Sequence, residues 1–240
     1  MARTLSARQV LGMRFETVTL GGGWDRCLGP VETTGVWFVW GNSGNGKTSA
    51  VVSLCKELSR YGKVLYNSRE EGFSLTMQNT LRRFGVGELG ARFQVASLPL
   101  EELDEKISKP RSPKFVVVDS FQFMGFSYRS FRDFCERHQR KLLIFVSRAS
   151  GRQPEGRAAC SAMYDACCKI WVEGYKAFSK GRFIGPEGSV TIWEEGAWKY
   201  WGERSSDEGN DHENDSETVQ ESEGADISAG LRPEADEETP

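Results

Sequence analysis

The chain has 240 residues, 38% of them hydrophobic, with 31 Lys and Arg against 34 Asp and Glu, a formal net charge of −3. This length suits one domain with an appendage. No apolar run approaches the roughly 18 residues of a membrane span and no signal peptide is seen. The six cysteines form no C-x-x-C pair and stand beside only two histidines, so a soluble, zinc-free protein of a reducing, cytoplasmic compartment is expected.

Charge is unevenly spread. Residues 203–240 carry 14 acids and two bases, Arg204 and Arg232, a net of −12, which leaves 29 bases over 20 acids, or +9, in residues 1–202. The acidic tail has no aromatic residue and few aliphatics, so burial would not offset its ordering entropy and disorder is expected. It reads as a solubiliser or as a nucleic-acid mimic that folds back on the basic body.

In chain order, residues 1–30 form a lead-in, with a capped-helix pattern from Ser6 and a loop at Gly21–Gly23. Residues 31–202 form the core. A buried strand is predicted over Val36–Trp40, followed by a helix with Val51, Leu54, Cys55 and Leu58 on one face. Further strands are expected at 63–67, 92–96, 114–118 and 141–147, and helices at 71–84, 101–108 and 127–140. Strands alternating with helices predict a mostly parallel sheet covered on both faces. From residue 168, short strands separated by Gly174, Gly185 and Gly188 suggest antiparallel additions at one edge.

Between the first strand and its helix stand Gly41, Asn42, Ser43, Gly44, Asn45, Gly46, Lys47 and Thr48, with Ser49 just beyond. This is the phosphate-binding pattern G-x-x-x-x-G-K-S/T in the strand-to-helix setting it needs. Glycines let backbone N–H groups approach phosphate oxygens and supply positive φ. Lys47 is placed for the β- and γ-phosphates, Thr48 for Mg²⁺, and the helix N-terminus points at the anion.

Val116-Val-Val-Asp119 is an apolar strand ending in a carboxylate that can serve Mg²⁺. The 63–67 strand runs into Glu70 and Glu71, either of which can orient an attacking water or simply favour the next helix N-terminus.

In order and content these residues resemble the RecA-like P-loop ATPases, most closely the core of the RadA/Sms-type recombination ATPases, with DnaB-type helicases as relatives. Gly41–Thr48 is similar to the family's Walker A motif and Val116–Gln122 to its Walker B. Val64–Glu71 looks like the strand whose first glutamate is catalytic, which points to Glu70. Tyr164–Gly174 resembles the strand leading to the subunit interface. Lys180-Gly-Arg182-Phe183 is similar to a K-N-R-F-G motif whose Lys and Arg reach a neighbour's ATP. The resemblance covers about residues 31–200 and implies an α/β RecA-like fold, use of ATP and Mg²⁺, and a homo-oligomeric ring or filament. It also implies DNA, single-stranded first, as the partner in replication, recombination or repair.

The chain departs from that pattern in three ways. Gly181 replaces the motif's Asn, the zinc module and protease-like domain are missing, and Ser147-Arg148 stands where relatives often carry a polar γ-phosphate sensor followed by His. A minimal version of phage or mobile-element type is implied. Arg148, Arg152 and Arg157 lie in a glycine-containing loop suited to DNA phosphates, or to a solvated surface. The aromatic and basic run Phe121–Lys141 reads as core at helical spacing, with base stacking as the alternative. An ATP-dependent switch or scaffold of the clock-protein kind is the rival function. A GTPase is disfavoured by the absence of N-K-x-D, and a small-molecule kinase by the absence of an Arg-rich lid.

Overall fold

Strict alternation along the strands builds two cores, one on each face of a single sheet. In β3 (Gly35–Gly41), Trp37 and Val39 enter the first core while Phe38 and Trp40 enter the second. In β6 (Phe115–Asp119), Phe115 and Val117 oppose Val116 and Val118 in the same way. The computed structural model describes residues 4–208. The described residues up to Glu203 belong to one compact unit; residues 209–240, on which most of the expectation of a disordered acidic tail falls, lie outside the described residues.

This unit opens with α1 (Ala7–Leu11), β1 (Thr17–Val18), α2 (Trp24–Leu28) and β2 (Val31–Glu32), where β1 and β2 pair as a small separate sheet. After β3 come α3 (Lys47–Leu58), β4 (Val64–Ser68), α4 (Leu75–Arg83), a 3-10 stretch over Val86–Arg92, β5 (Phe93–Ala96), α5 (Leu100–Ser108) and then β6. Next are α6 (Tyr128–Arg137), β7 (Leu142–Ser150), β8 (Gln153–Pro154), α7 (Arg157–Asp165), β9 (Cys168–Glu173), β10 (Lys176–Ser179), β11 (Ser189–Thr191) and α8 (Glu194–Glu208). The strand order of the main sheet is β11-β10-β9-β3-β7-β6-β4-β5, with β8 paired to β7 alone. Every pair from β9 to β5 along this order is parallel, and β9–β10 and β10–β11 are antiparallel. This is the expected α/β architecture with antiparallel edge strands.

Several boundaries differ from the sequence expectation, each for a local reason. The helix expected from residue 71 begins at Leu75, because Gly72 takes φ 59 and Ser74 caps the helix by accepting from the Met77 N–H. Glu71 therefore lies in the turn before α4. The strand at 168 is not an antiparallel addition. β9 pairs parallel to β3, because α7, which the sequence reading missed, supplies the crossover that a parallel pair needs. The lead-in is not a mere approach segment: Trp24, Cys27 and Leu28 are buried in the first core. The helix α8 was also missed, and it runs as far as Glu208. In the run Phe121–Lys141, Phe121, Phe126, Phe131 and Phe134 are buried in the second core and hold the fold, whereas Phe123 and Tyr128 are exposed.

Candidate active site

Parallel strands place their C-terminal ends along one edge, and the crevice outside that edge is where α/β sheets bind ligands. Here β3 delivers the glycine-rich loop, β4 delivers Glu70 and Glu71, and β6 delivers Asp119. Register fixes the relation, with Ser68 opposite Asp119 and Gly41 opposite Arg148. The turn after β4 is pinned to β6 because the Arg69 and Glu70 N–H groups both donate to the Asp119 carbonyl, at 2.6 and 3.4 Å.

The resulting cavity, of about 300 Å³, is lined by Gly44, Gly46, Lys47 and Thr48 of the loop, by Glu70, Glu71 and Asp119, and by Arg83 and Tyr175. Loop conformation follows from sequence. Gly46 holds φ 89 at the N-cap of α3, and a side chain there would sit 3.0 Å from the Tyr175 ring. Gly41 is not among the positive-φ glycines. It is needed because a Cβ would run into the Val172 carbonyl of β9. Of the predicted loop residues, Ser43 and Ser49 line the cavity, whereas Asn42 and Asn45 hold the loop together. Asn42 offers its carbonyl to Lys47 Nζ at 3.0 Å, and Asn45 Oδ1 accepts the Gly174 N–H at 2.7 Å.

The charged groups are coupled. Burial lowers the Lys47 pKa, and the carboxylates of Glu70 and Asp119 oppose that shift. Burial pushes the Asp119 carboxyl up to about 6, with Glu70 and Glu71 adding to the rise and the Tyr66 hydroxyl and Lys47 opposing it. Tyr66 donates to Asp119 Oδ2 at 2.7 Å. The two glutamates are used differently. Glu71 is half-buried and accepts from the Thr48 hydroxyl and the Thr76 hydroxyl, each at 3.2 Å. Glu70 is exposed at the cavity, and no hydrogen bond or ion pair among the described residues engages its carboxylate.

The three arginines are not grouped in one loop. Arg148 is still in β7, beside the phosphate loop, and pairs with Glu155 at 3.2 Å. Arg152 lies at the tip of the β7–β8 hairpin, and Arg157 is the first residue of α7. Ser147 is buried and accepts from Gln122 Nε2 at 2.8 Å. Lys180 and Arg182 are exposed at the opposite edge of the sheet, where their N–H groups donate to the carbonyls of Lys169 and Cys167. They do not line the P-loop cavity of their own chain. Gly181 replaces Asn for a steric reason, since a Cβ would lie 2.8 Å from the Lys169 nitrogen.

Sequence reasoning missed Tyr66, Arg83 and Tyr175. Tyr66 read as a buried strand residue, and only its register beside Asp119 shows its second role. Tyr175 follows Gly174 in a turn that carried no motif. Its φ of 59 turns the ring over Gly46, and its N–H donates to the Asn45 carbonyl at 3.2 Å.

The oxygen donors at the strand ends, Thr48 Oγ1 with the carboxylates of Glu71 and Asp119, are of the hard type that suits Mg²⁺. The raised proton affinity of Asp119 follows from its burial, which the nearby Lys47 and the Tyr66 hydroxyl only partly offset.

No protein-family model matches the chain, and no curated protein matches it. Among solved structures, the KaiC-like protein PH0186 from the hyperthermophilic archaeon Pyrococcus horikoshii OT3 is similar, with a TM-score of 0.52 at 16% identity, covering 74% of this chain and 98% of that one. The likeness is one of fold, and it agrees with the RecA-like arrangement of a mostly parallel sheet between helices with the glycine-rich loop at its C-terminal edge.

Proposed function

We propose that the protein binds and hydrolyses ATP with Mg²⁺ and couples this to single-stranded DNA. The carrying observation is the convergence of Lys47, Thr48, Glu70, Glu71 and Asp119 on one cavity at the C-terminal ends of β3, β4 and β6. In this reading Lys47 and the loop N–H groups hold the β- and γ-phosphates. Thr48 and Asp119 hold Mg²⁺, with Glu71 behind Thr48. The ion would neutralise charge developing on the phosphate oxygens. Glu70 orients and deprotonates the attacking water, which its exposure and its unengaged carboxylate allow. Catalysis is then mostly positioning and charge stabilisation.

The DNA part of the reading is supported by the +9 body and by the exposed Arg152 and Arg157. Homo-oligomeric action is supported by the exposure of Lys180 and Arg182 outside the lining of their own chain's P-loop cavity. The test is the ATPase rate with and without single-stranded DNA, alongside Lys47→Ala. We expect stimulation in the wild type and loss of turnover to background in a folded Lys47→Ala protein. Near-wild-type turnover in that variant would rule out this cavity as the catalytic one. A second reading is an ATP-driven switch that uses the same cavity to control a protein partner. It takes the lead if hydrolysis is robust and indifferent to DNA.

A further inference from the structure

A second and larger cavity, of about 520 Å³, opens on the other side of the β7–β8 hairpin. Its walls are the rings of Trp40, Trp171, Phe178 and Trp201, and its rim carries Arg152, Lys169 and Lys180. This volume is within the range of small-molecule sites, roughly 300–1,000 Å³.

We propose that this cavity stacks a nucleobase of single-stranded nucleic acid and that the rim cations hold the adjoining phosphate. The inference rests on the DNA reading above and gives it a location that includes Arg152, one of the three arginines the sequence offered for DNA phosphates.

Three observations carry it. The first is that the wall holds two aromatic pairs: Trp40 and Trp171 have centroids 5.7 Å apart, Phe178 and Trp201 are 5.9 Å apart, and Phe178 stands opposite Trp171 in the β9–β10 register. The second is that every indole N–H is already committed. Trp40 donates to the Arg152 carbonyl at 3.0 Å, Trp171 to Glu173 Oε2 at 2.9 Å, and Trp201 to the Gly174 carbonyl at 3.1 Å. Trp40 and Trp171 are buried and form the floor of the cavity, while the half-buried Phe178 and Trp201 present ring surface at its side. With the indole N–H groups committed, no indole donor is left for reading base edges, which makes the site tolerant of sequence. The third is charge. None of Arg152, Lys169 and Lys180 is in an ion pair with a carboxylate among the described residues, and the lining acid, Glu173, accepts from Trp171 and from the Tyr200 hydroxyl at 3.0 Å. Lys169 Nζ lies 5.7 Å from the Tyr164 ring and Lys180 Nζ 6.0 Å from the Phe178 ring, so the cations stay beside the aromatic surface. Lys169 Nζ also donates to the Tyr164 carbonyl at 3.2 Å, and a purely apolar partner would leave Arg152 and Lys180 without use. A base with its phosphate uses both features.

The cavity is also tied to the phosphate loop. Trp201 holds the Gly174 carbonyl, and the Gly174 N–H holds Asn45. If Lys180 serves this rim, action on a neighbour's nucleotide falls to Arg182 alone.

The test is binding of a fluorescent oligothymidylate of about 15 nucleotides, followed by anisotropy and by tryptophan quenching. The P-loop is kept filled with a non-hydrolysable ATP analogue. Phe178→Leu keeps apolar bulk and removes the stacking face, and Lys169→Glu reverses one rim charge; thermal melts check that both fold. We expect each to weaken binding roughly tenfold or more, the scale of one lost stacked base. Lys169→Glu should also reduce the salt slope by about one. Quenching by thymidine monophosphate at equal nucleotide concentration, as strong as that by the oligomer, would assign the cavity to free nucleotides and overturn the single-strand assignment. Wild-type affinity in both folded variants overturns the cavity and leaves the DNA reading standing. Loss of self-association in the variants with unchanged oligomer affinity makes the cavity a protein interface and overturns the proposal. No oligomer binding by the wild type removes the DNA reading itself, and the cavity proposal with it.

Discussion

The Thr48 hydroxyl donates to Glu71 at 3.2 Å, while Glu70, one residue earlier, is exposed at the same cavity without such a partner. Adjacent carboxylates in one turn thus have different surroundings. A side chain already holding a loop hydroxyl is poorly placed to move toward a water, and one facing open cavity is well placed.

Glu70→Gln should therefore retain nucleotide binding and lose hydrolysis by roughly two or more orders of magnitude, the scale of a lost general base. Glu71→Gln should chiefly weaken Mg²⁺-dependent binding. Separate measurement of kcat and of nucleotide Kd distinguishes the two. A crippled kcat in Glu71→Gln with a healthy Glu70→Gln would exchange their roles.

Asp119 predicts a pH effect of definite sign. Its folded pKa, about 6, lies above the ordinary 3.8. The folded protein therefore holds this proton more tightly than the unfolded chain. That stabilisation is full below about pH 4 and is lost as pH rises through about 6. Asp119→Asn accepts the Tyr66 hydroxyl without carrying charge. Relative to wild type, the apo variant should gain stability from pH 4 to pH 7, by up to about 3 kcal/mol at one unit per 1.36 kcal/mol. It should also lose Mg²⁺-dependent hydrolysis. Parallel denaturation profiles of the two proteins across that range would show that Asp119 is not held this way.

Asn45 joins the phosphate loop to the β9–β10 turn. Asn45→Ala leaves the buried Gly174 N–H without its acceptor, a loss of about 1–3 kcal/mol. We expect a melting temperature lower by several degrees and weaker nucleotide binding. Asn45→Asp keeps an acceptor oxygen and should recover most of the stability. Equal loss in both variants would point to the amide's other bond, to the Ser43 carbonyl.

Action across protomers is tested by mixing. Arg182→Ala and Glu70→Gln proteins, each inactive alone, should regain part of the activity together, because some interfaces combine an intact Arg182 with an intact Glu70. Specific activity should also rise with protein concentration. A flat concentration dependence without rescue would favour a self-sufficient monomer.

What the sequence determined by itself is largely local. The glycine-rich loop, the alternating strands and the two strand-end acids are legible because backbone conformation and side-chain periodicity act over a few residues. The order in which the strands pair is not local. The parallel return of β9 depends on a short, small-residue helix, α7, whose pattern is weak when read alone. The separate surroundings of Glu70 and Glu71 arise from Gly72 and the cap at Ser74, together with the pinning of the turn to Asp119. The dispersal of Arg148, Arg152 and Arg157 follows from a hairpin two residues deep. The aromatic residues make the same point. Phe131 and Phe178 carry similar chemistry in sequence, yet one is sealed on the buried face of α6 and the other lines an open cavity. Only long-range packing decides which ring faces solvent, because burial depends on what the rest of the chain brings to cover it.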